Sequence, residues 1–415
     1  MLNFILLCSI VFIIVAICLW FRARNHRLWR RFLYKTHLRL GIISGIILFV
    51  VCSSGTLLVF RTEIIMFFEH DKYSVAHSDQ LPLKMEDLIA QAEQNLNGKV
   101  LWIGIDNKSN RAYRMNVKID NGKNSENKPI FRNEICHVDP YTGKFLVKRP
   151  NPLIGFFRNI IILHRALFLP QPYGRIIVGS ATLIFVIVVL SGLCLWLPAN
   201  FCNKKAWANS FLIRFRKRKN HLFYDLHRTL GFYALIPILV MALTGLMWSF
   251  QWYNNGIRTI FHAQRVQSPP PIKSPPKNPN AKRLPLEFFT KKADELIEQK
   301  GFRIFYIPEQ EDSPVVVREV WRGTLKLEAW ERIHFDQYTG EVLRFERFKD
   351  IPVGAKLGTL FYQLHTGNIL GLPTKIIYFL ACLFATTLPV TGVIIWWRKL
   401  RNLRKTKKEL IVMSE

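Results

Sequence analysis

Residues 37–60, HLRLGIISGIILFVVCSSGTLLVF, and residues 227–250, HRTLGFYALIPILVMALTGLMWSF, are two versions of one design. Each opens on a histidine, His37 or His227, and continues as an apolar run with no acidic residue. Counting from the histidine, glycine falls at +4 (Gly41, Gly231), Ser or Thr at +17 (Ser54, Thr244), glycine at +18 (Gly55, Gly245) and Phe at +23 (Phe60, Phe250). Runs of this length cross a bilayer as helices. Five are present, at residues 2–20, 38–60, 174–197, 229–251 and 375–397.

A second histidine pair lies outside these two stretches. His164 stands in LHRALFLP and His365 in LHTGNILGLP. They are followed by Ser191-Gly192-x3-Trp196 and Thr391-Gly392-x3-Trp396. Between the spans, HVDPYTGKFL from His137 recurs as HFDQYTGEVL from His334. The offsets are similar: 190 for His37 to His227, 197 for His137 to His334 and 201 for His164 to His365. A unit of helix, exterior domain and helix is therefore read as duplicated.

The formal charge of the 415-residue chain is +29, which in a soluble protein would suggest nucleic acid. Here much of the surplus abuts the spans, in residues 22–39, 204–228 and 398–408. Lys and Arg beside spans are retained on the cytoplasmic side. The charge thus sets topology, and the partner it implies is membrane lipid, with no nucleic acid. The N-terminus is expected outside and the C-terminus inside. The long loops, about 61–173 and 252–374, are expected outside. The first run has no small-x-small cleavage site before Phe21-Arg22 and is read as a retained anchor. The seven cysteines include no C-x-x-C-H, so covalently attached haem is not indicated.

The fold class expected is an α-helical membrane protein of about five spans with two duplicated α+β exterior domains. Its parts are an anchor span (1–21), a basic segment with span (22–60) and a first exterior domain (61–152). An interfacial helix with span (153–198), a basic loop (199–228) and a span (229–251) follow. A Pro-rich linker with the second exterior domain (252–355), an interfacial helix with span (356–397) and a basic tail (398–415) complete the chain. Asp-x-Tyr-Thr-Gly predicts a tight turn in each exterior domain, with Asp139 and Asp336 accepting backbone N–H bonds and Gly143 and Gly340 at positive φ. Apolar residues at helical spacing predict one helix in each, over 83–95 and 285–299.

Geometry separates the two histidine pairs. Eighteen residues are five helical turns, so Gly55 lies above His37 on one helix face, about 27 Å away. Gly245 stands likewise to His227. Such a glycine either admits a flat cofactor or lets helices pack closely. From His164 to Trp196 an unbroken helix would be about 48 Å long, more than a bilayer core needs. Pro170 with Pro172, and Gly371 with Pro373, supply breaks. His164 and His365 are therefore placed on short interfacial helices, 153–169 and 356–370. The inner histidines would then face Gly192 and Gly392, and the outer ones Gly55 and Gly245. Pairing His37 with His227 and His164 with His365 follows from topology; a single-histidine site stays open. Neutral imidazole is a usual metal ligand, with an acceptor expected for its other nitrogen. Arg39, Arg165 and Arg228 stand beside the ligand positions, to pair with cofactor carboxylates or to snorkel.

These elements together resemble the PepSY-associated transmembrane proteins, over about residues 30–400. Within them the chain is similar to haem-containing ferric-siderophore reductases and related iron-regulated inner-membrane proteins. The resemblance implies two b-type haems with His37, His227, His164 and His365 as iron ligands. It also implies reduction of a ferric chelate substrate at the periplasmic face of a bacterial inner membrane. Some members carry a flavoprotein module; no G-x-G-x-x-G stands in this sequence, so a separate electron donor is expected. The rival reading is a non-enzymatic membrane protein whose PepSY-like domains bind a partner protein or peptide. A transporter is disfavoured, since the repeat is parallel and the spans lack midplane acids.

Overall fold

The computed structural model describes residues 2–413 apart from 69–72, 77–79, 124–126, 128, 147–151, 199–201, 216–218, 264–269, 275–280 and 323–327. In chain order the elements are α1 (Leu2–Val59), α2 (Arg61–Phe68), α3 (Met85–Leu96), β1 (Gly98–Asp106), β2 (Tyr113–Lys123), β3 (Pro129–Val138), α4 (Pro152–Ala166), α5 (Tyr173–Trp196) and α6 (Lys204–Phe211). They continue with α7 (Lys219–Ser249), α8 (Gln251–Ile260), α9 (Leu286–Leu296), β4 (Phe302–Tyr306), β5 (Val315–Arg322), β6 (Glu328–Phe335), β7 (Val342–Arg347), α10 (Val353–Thr366) and α11 (Leu372–Val412). The chain divides into a helical unit (Met1–Arg61, Gly155–Gln264, Val353–Glu415) and a sheet unit (Thr62–Ile154, Arg265–Pro352).

The helical unit is a closed ring. Helix α1 touches α5 and α11, and α7 touches the same two. Among the described residues, four stretches of these helices are long and apolar enough to cross a membrane: Arg27–Val59, Tyr173–Trp196, His221–Ser249 and Leu372–Thr406. Where they meet, the core is small: Cys52, Ala234, Ile238, Ala381, Cys382 and Ala385. Small side chains let membrane helices approach closely, where lipid offers no hydrophobic drive to associate. The surface of the ring is apolar instead, with Ile46 81% and Ile236 72% exposed. A face of that kind calls for a non-aqueous surrounding.

The separate anchor expected at residues 2–20 is not a separate element. Backbone from Leu2 to Val59 is one unbroken helix, with no turn before the second apolar run. The reason is local: residues 21–36, FRARNHRLWRRFLYKT, contain neither Gly nor Pro to stop it. Side chains before Arg27 lie outside the described ones. The other breaks form as expected. Helix α4 ends at Ala166, after which Leu167 and Phe168 take positive φ ahead of Pro170 and Pro172. Helix α10 ends at Thr366, followed by Gly367 and Gly371 at φ +70 and +76. Glycine adopts that conformation without a Cβ clash.

The two exterior domains expected at 61–152 and 252–355 are one unit. Their strands form a single seven-stranded antiparallel sheet, ordered β3-β2-β1-β4-β5-β6-β7. The seam is β1 against β4, from Trp102 opposite Tyr306 to Asp106 opposite Phe302. Helices α3 and α9 cover one face, where Leu88, Ala92, Phe289 and Ala293 meet Ile103, Met115, Phe305, Val317 and Ile333. Each fully buried large apolar side chain there contributes roughly 1.5–3 kcal/mol. A three-stranded sheet alone has an open edge; joining the halves pairs β1 with β4 and removes two such edges. The Asp-x-Tyr-Thr-Gly turns form as expected. Asp139 accepts from Tyr141 N at 2.9 Å and Asp336 from Tyr338 N at 2.9 Å, with Gly143 and Gly340 both at φ +72. Asp336 also accepts from Thr339 N. Burial pushes its carboxyl up, but these N–H donors outweigh that and hold it below the usual range. The Pro-rich linker expected ahead of the second exterior domain lies partly outside the described residues.

Candidate functional site

Four histidines meet in two pairs. The rings of His37 and His227 have centroids 6.0 Å apart at 90°. Those of His164 and His365 have centroids 6.3 Å apart at 65°. The first pair sits inside α1 and α7, away from the helix ends. The second sits near the C-terminal ends of α4 and α10.

One local arrangement holds all four rings. The Nδ1 atom of His37 lies 3.0 Å from the carbonyl of Val188 and 3.2 Å from Ser191 Oγ. That of His164 lies 3.0 Å from the carbonyl of Val51 and 3.1 Å from Ser54 Oγ. For His365 the partners are the carbonyl of Met241 at 3.0 Å and Thr244 Oγ1 at 3.1 Å. For His227 they are Thr391 Oγ1 at 2.9 Å and the carbonyl of Leu388. A carbonyl only accepts, so Nδ1 carries the proton. The hydroxyls agree, because each already donates to its own helix: Ser54 to Val50 O, Thr244 to Val240 O, Thr391 to Thr387 O and Ser191 to Val188 O. In the uncharged ring the lone pair is then on Nε2.

The glycine after each hydroxyl makes this contact possible. A Cβ at Gly192 or Gly245 would stand 3.1 Å from Cε1 of His37 or His365, and one at Gly55 or Gly392 3.3 Å from Cε1 of His164 or His227. The notch at each of these glycines seats the edge of an imidazole. The cross-helix matching of histidine with glycine is the one expected from topology.

Geometry of this kind can clamp one metal ion. An imidazole nitrogen binds a transition metal at about 2 Å, so two rings on opposite sides of one ion have centroids roughly 6 Å apart. Among the described residues no group of three or more His, Cys, Asp or Glu could hold a bare ion. Beside His37 and His227 there is a cavity of about 650 Å³. Cofactor sites commonly measure about 300–1,000 Å³. Its walls are apolar, with Gly41, Gly45 and Gly231 opening space along the helices, and a Cβ at Gly41 would meet nothing within 4 Å.

A profile of the PepSY-associated TM region matches residues 34–399. The chain belongs to this family. No curated protein matches it. This PepSY-associated membrane protein thus has its matched region spanning both histidine pairs and the whole sheet unit.

The three arginines named beside the histidines fall in different places. Arg228 lines the cavity and also reaches Asp225 at 3.4 Å. Asp225 is fully buried and is held by two bonds from Arg214, at 2.8 and 2.7 Å. Arg39 and Arg165 are exposed, and Arg39 is not in the cavity wall, because position 39 lies on the far side of α1 from His37's partner helix. Arg27, Arg30 and Arg31, one to three turns before His37, line the cavity instead. Sequence reasoning passed over them as topology signals. It also passed over Ser54, Ser191, Thr244 and Thr391 as ring partners, although Ser/Thr-Gly recurs four times, once opposite each histidine. Trp196 is buried, stacked on Phe232 with centroids 3.9 Å apart.

Proposed function

We propose that this membrane protein is a dihaem b electron-transfer protein that reduces ferric chelates outside a bacterial cytoplasmic membrane. One observation carries the reading: four histidines with Nδ1 tied back to carbonyl and hydroxyl, arranged as two facing pairs 6.0 and 6.3 Å apart. Haem b, when bound, would supply one-electron chemistry, taking the ferric ion of a chelate to ferrous with an electron from a separate donor.

The chain's own residues would do the rest. His37 with His227, and His164 with His365, would hold the haem iron through Nε2. Their Nδ1–H bonds fix ring rotation and raise ligand basicity. Apolar side chains make up most of the wall around the first pair. Arg27, Arg30, Arg31 and Arg228, in the cavity wall, would offer charge-assisted donors to cofactor carboxylates. The basic clusters support putting the His37 end on the cytoplasmic side and the sheet unit outside. The two ends are about 27 Å apart along α1, so two centres would be needed to carry an electron across.

The test uses sealed proteoliposomes with reductant trapped inside and ferric citrate outside. Ferrous iron is captured by an impermeant chromogenic chelator. Wild-type protein should produce ferrous iron, and His227→Ala or His365→Ala should leave only the leak seen with empty liposomes. Equal rates for wild type and both variants would refute the reading.

A further inference from the structure

The sheet face away from α3 and α9 carries a row of arginines that the proposed electron transfer does not use. Side chains alternate along a strand. Ile103, Met115, Phe305, Val317 and Ile333 point into the core. Their neighbours point the other way and align across the strands: Arg114 opposite Gly104, Gly104 opposite Ile304, Ile304 opposite Arg318, Arg318 opposite Arg332, and Arg332 opposite Glu346.

This row is costly for the fold. Arg318 and Arg332 are direct cross-strand neighbours, and like charges so placed are destabilising. Arg332 has Glu346 at 3.4 Å. Arg114 and Arg318 have no ion pair among the described residues, and the Nε of each is buried without a hydrogen-bond partner. Burial pushes the Arg114 guanidinium down, against the pull of Tyr73 and Asp106. Aromatic rings hold the guanidinium groups in place instead. Arg114 lies 4.5 Å from the Phe302 ring centroid and 5.5 Å from that of Trp102. Arg318 and Arg332 lie 5.6 and 5.1 Å from the Trp330 centroid. Gly104 makes the middle of this floor, since any Cβ there would collide with the Phe302 ring. Stacking of this kind fixes a guanidinium plane while leaving donors at its edge for a ligand.

We infer that this face is a binding site for an anionic ferric chelate, with Arg318 and Arg332 clamping its carboxylate oxygens and Arg114 as a second anchor. Charge complementarity selects the occupant. Arg114 and Arg318 are three strands apart, about 14 Å, so a ligand with several carboxylates engages more of the row than a single anion. Guanidinium forks take carboxylates by two parallel bonds. The Trp102 and Trp330 rings receive the apolar body of the chelate. That the ligand carries iron rests on the reductase reading; the anion site does not.

The test is equilibrium binding to the full-length protein in detergent with no reductant. Gallium citrate serves as a redox-inert probe, and a cationic ferric trihydroxamate as the control. Wild type should bind gallium citrate, and Arg318→Gln with Arg332→Gln should weaken it about tenfold or more. Arg318→Lys keeps the charge but loses the fork, and should fall in between. The absorption spectrum and melting temperature report folding of each variant. Unchanged affinity in the double variant or in Arg114→Gln overturns the inference, as does equal binding of the cationic control. Binding with the expected losses in a protein that carries no haem would support the anion site while the reductase reading falls. Haem present with no binding of gallium citrate would do the reverse.

Discussion

The two histidine pairs share one way of holding a ring and differ in what holds the histidine. His37 and His227 sit within α1 and α7, helices of 58 and 31 residues, several residues from either end and next to a cavity of about 650 Å³. His164 and His365 sit two and one residues from the ends of α4 and α10, helices of 15 and 14 residues. The first pair is fixed by spans packed against two neighbours each. The second depends on where a proline or glycine break lets a short helix lie. The same hydrogen bonds thus act within long spans at one end and beside the ends of short helices at the other. On the proposed function, the first pair would be the relay and the second the centre that meets the substrate.

The largest test of this comparison is ligand removal. His37→Ala or His227→Ala should cut bound haem from about two to about one per chain, leaving the other centre's spectrum intact. His164→Ala and His365→Ala should remove the other centre. Loss of one centre by a crosswise pair, such as His37 with His365, would break the pairing. Next comes filling the cavity. Gly41→Leu adds a side chain where no atom lies within 4 Å of a Cβ, so the fold should persist while the first centre is lost. The second centre should be untouched; loss of both would mean that the pairs are not separate sites.

Smaller effects sharpen the contrast. Thr391→Val and Thr244→Val each remove a hydroxyl but keep the carbonyl partner. Each should weaken haem retention about tenfold, equally at the two ends, since the bond is the same. Gly192→Ala and Gly55→Ala press a methyl on the ring edge. The shift in midpoint potential should be larger for Gly192→Ala, because His37 cannot retreat within a continuous helix, whereas His164 near a helix end can. Smallest of all is Arg39→Gln, which should leave both centres unchanged. Arg228→Gln should alter only the first, as a change in its midpoint potential in a redox titration.

Much of this was legible in the sequence because the repeat supplies its own controls. His37 and His227 announce the spans, and the 18-residue step to Gly55 and Gly245 puts ligand and notch at opposite ends of one face. The breaks at Pro170 and Gly371 follow from length alone. What escaped has physical causes. Periodicity within β1 and β4 says which face is buried, but not that the two edges would pair with each other. Arg27 and Arg30 read as positive-inside charge, and a one-dimensional count does not show which of them turns inward. Ser54 and Thr391 looked like ordinary small residues at a packing face; their role needs the partner helix in place. The helix from Leu2 to Val59 ran through because a charge cluster does not break a helix.

The central claim is that these four imidazoles hold two haems. Protein purified in detergent should give a reduced-minus-oxidised spectrum of six-coordinate b-type haem, and a pyridine haemochrome assay should return about two haems per chain. Protein that folds, shown by an unchanged melt and a single elution peak, yet carries no haem after expression with ample haem supply would contradict the account.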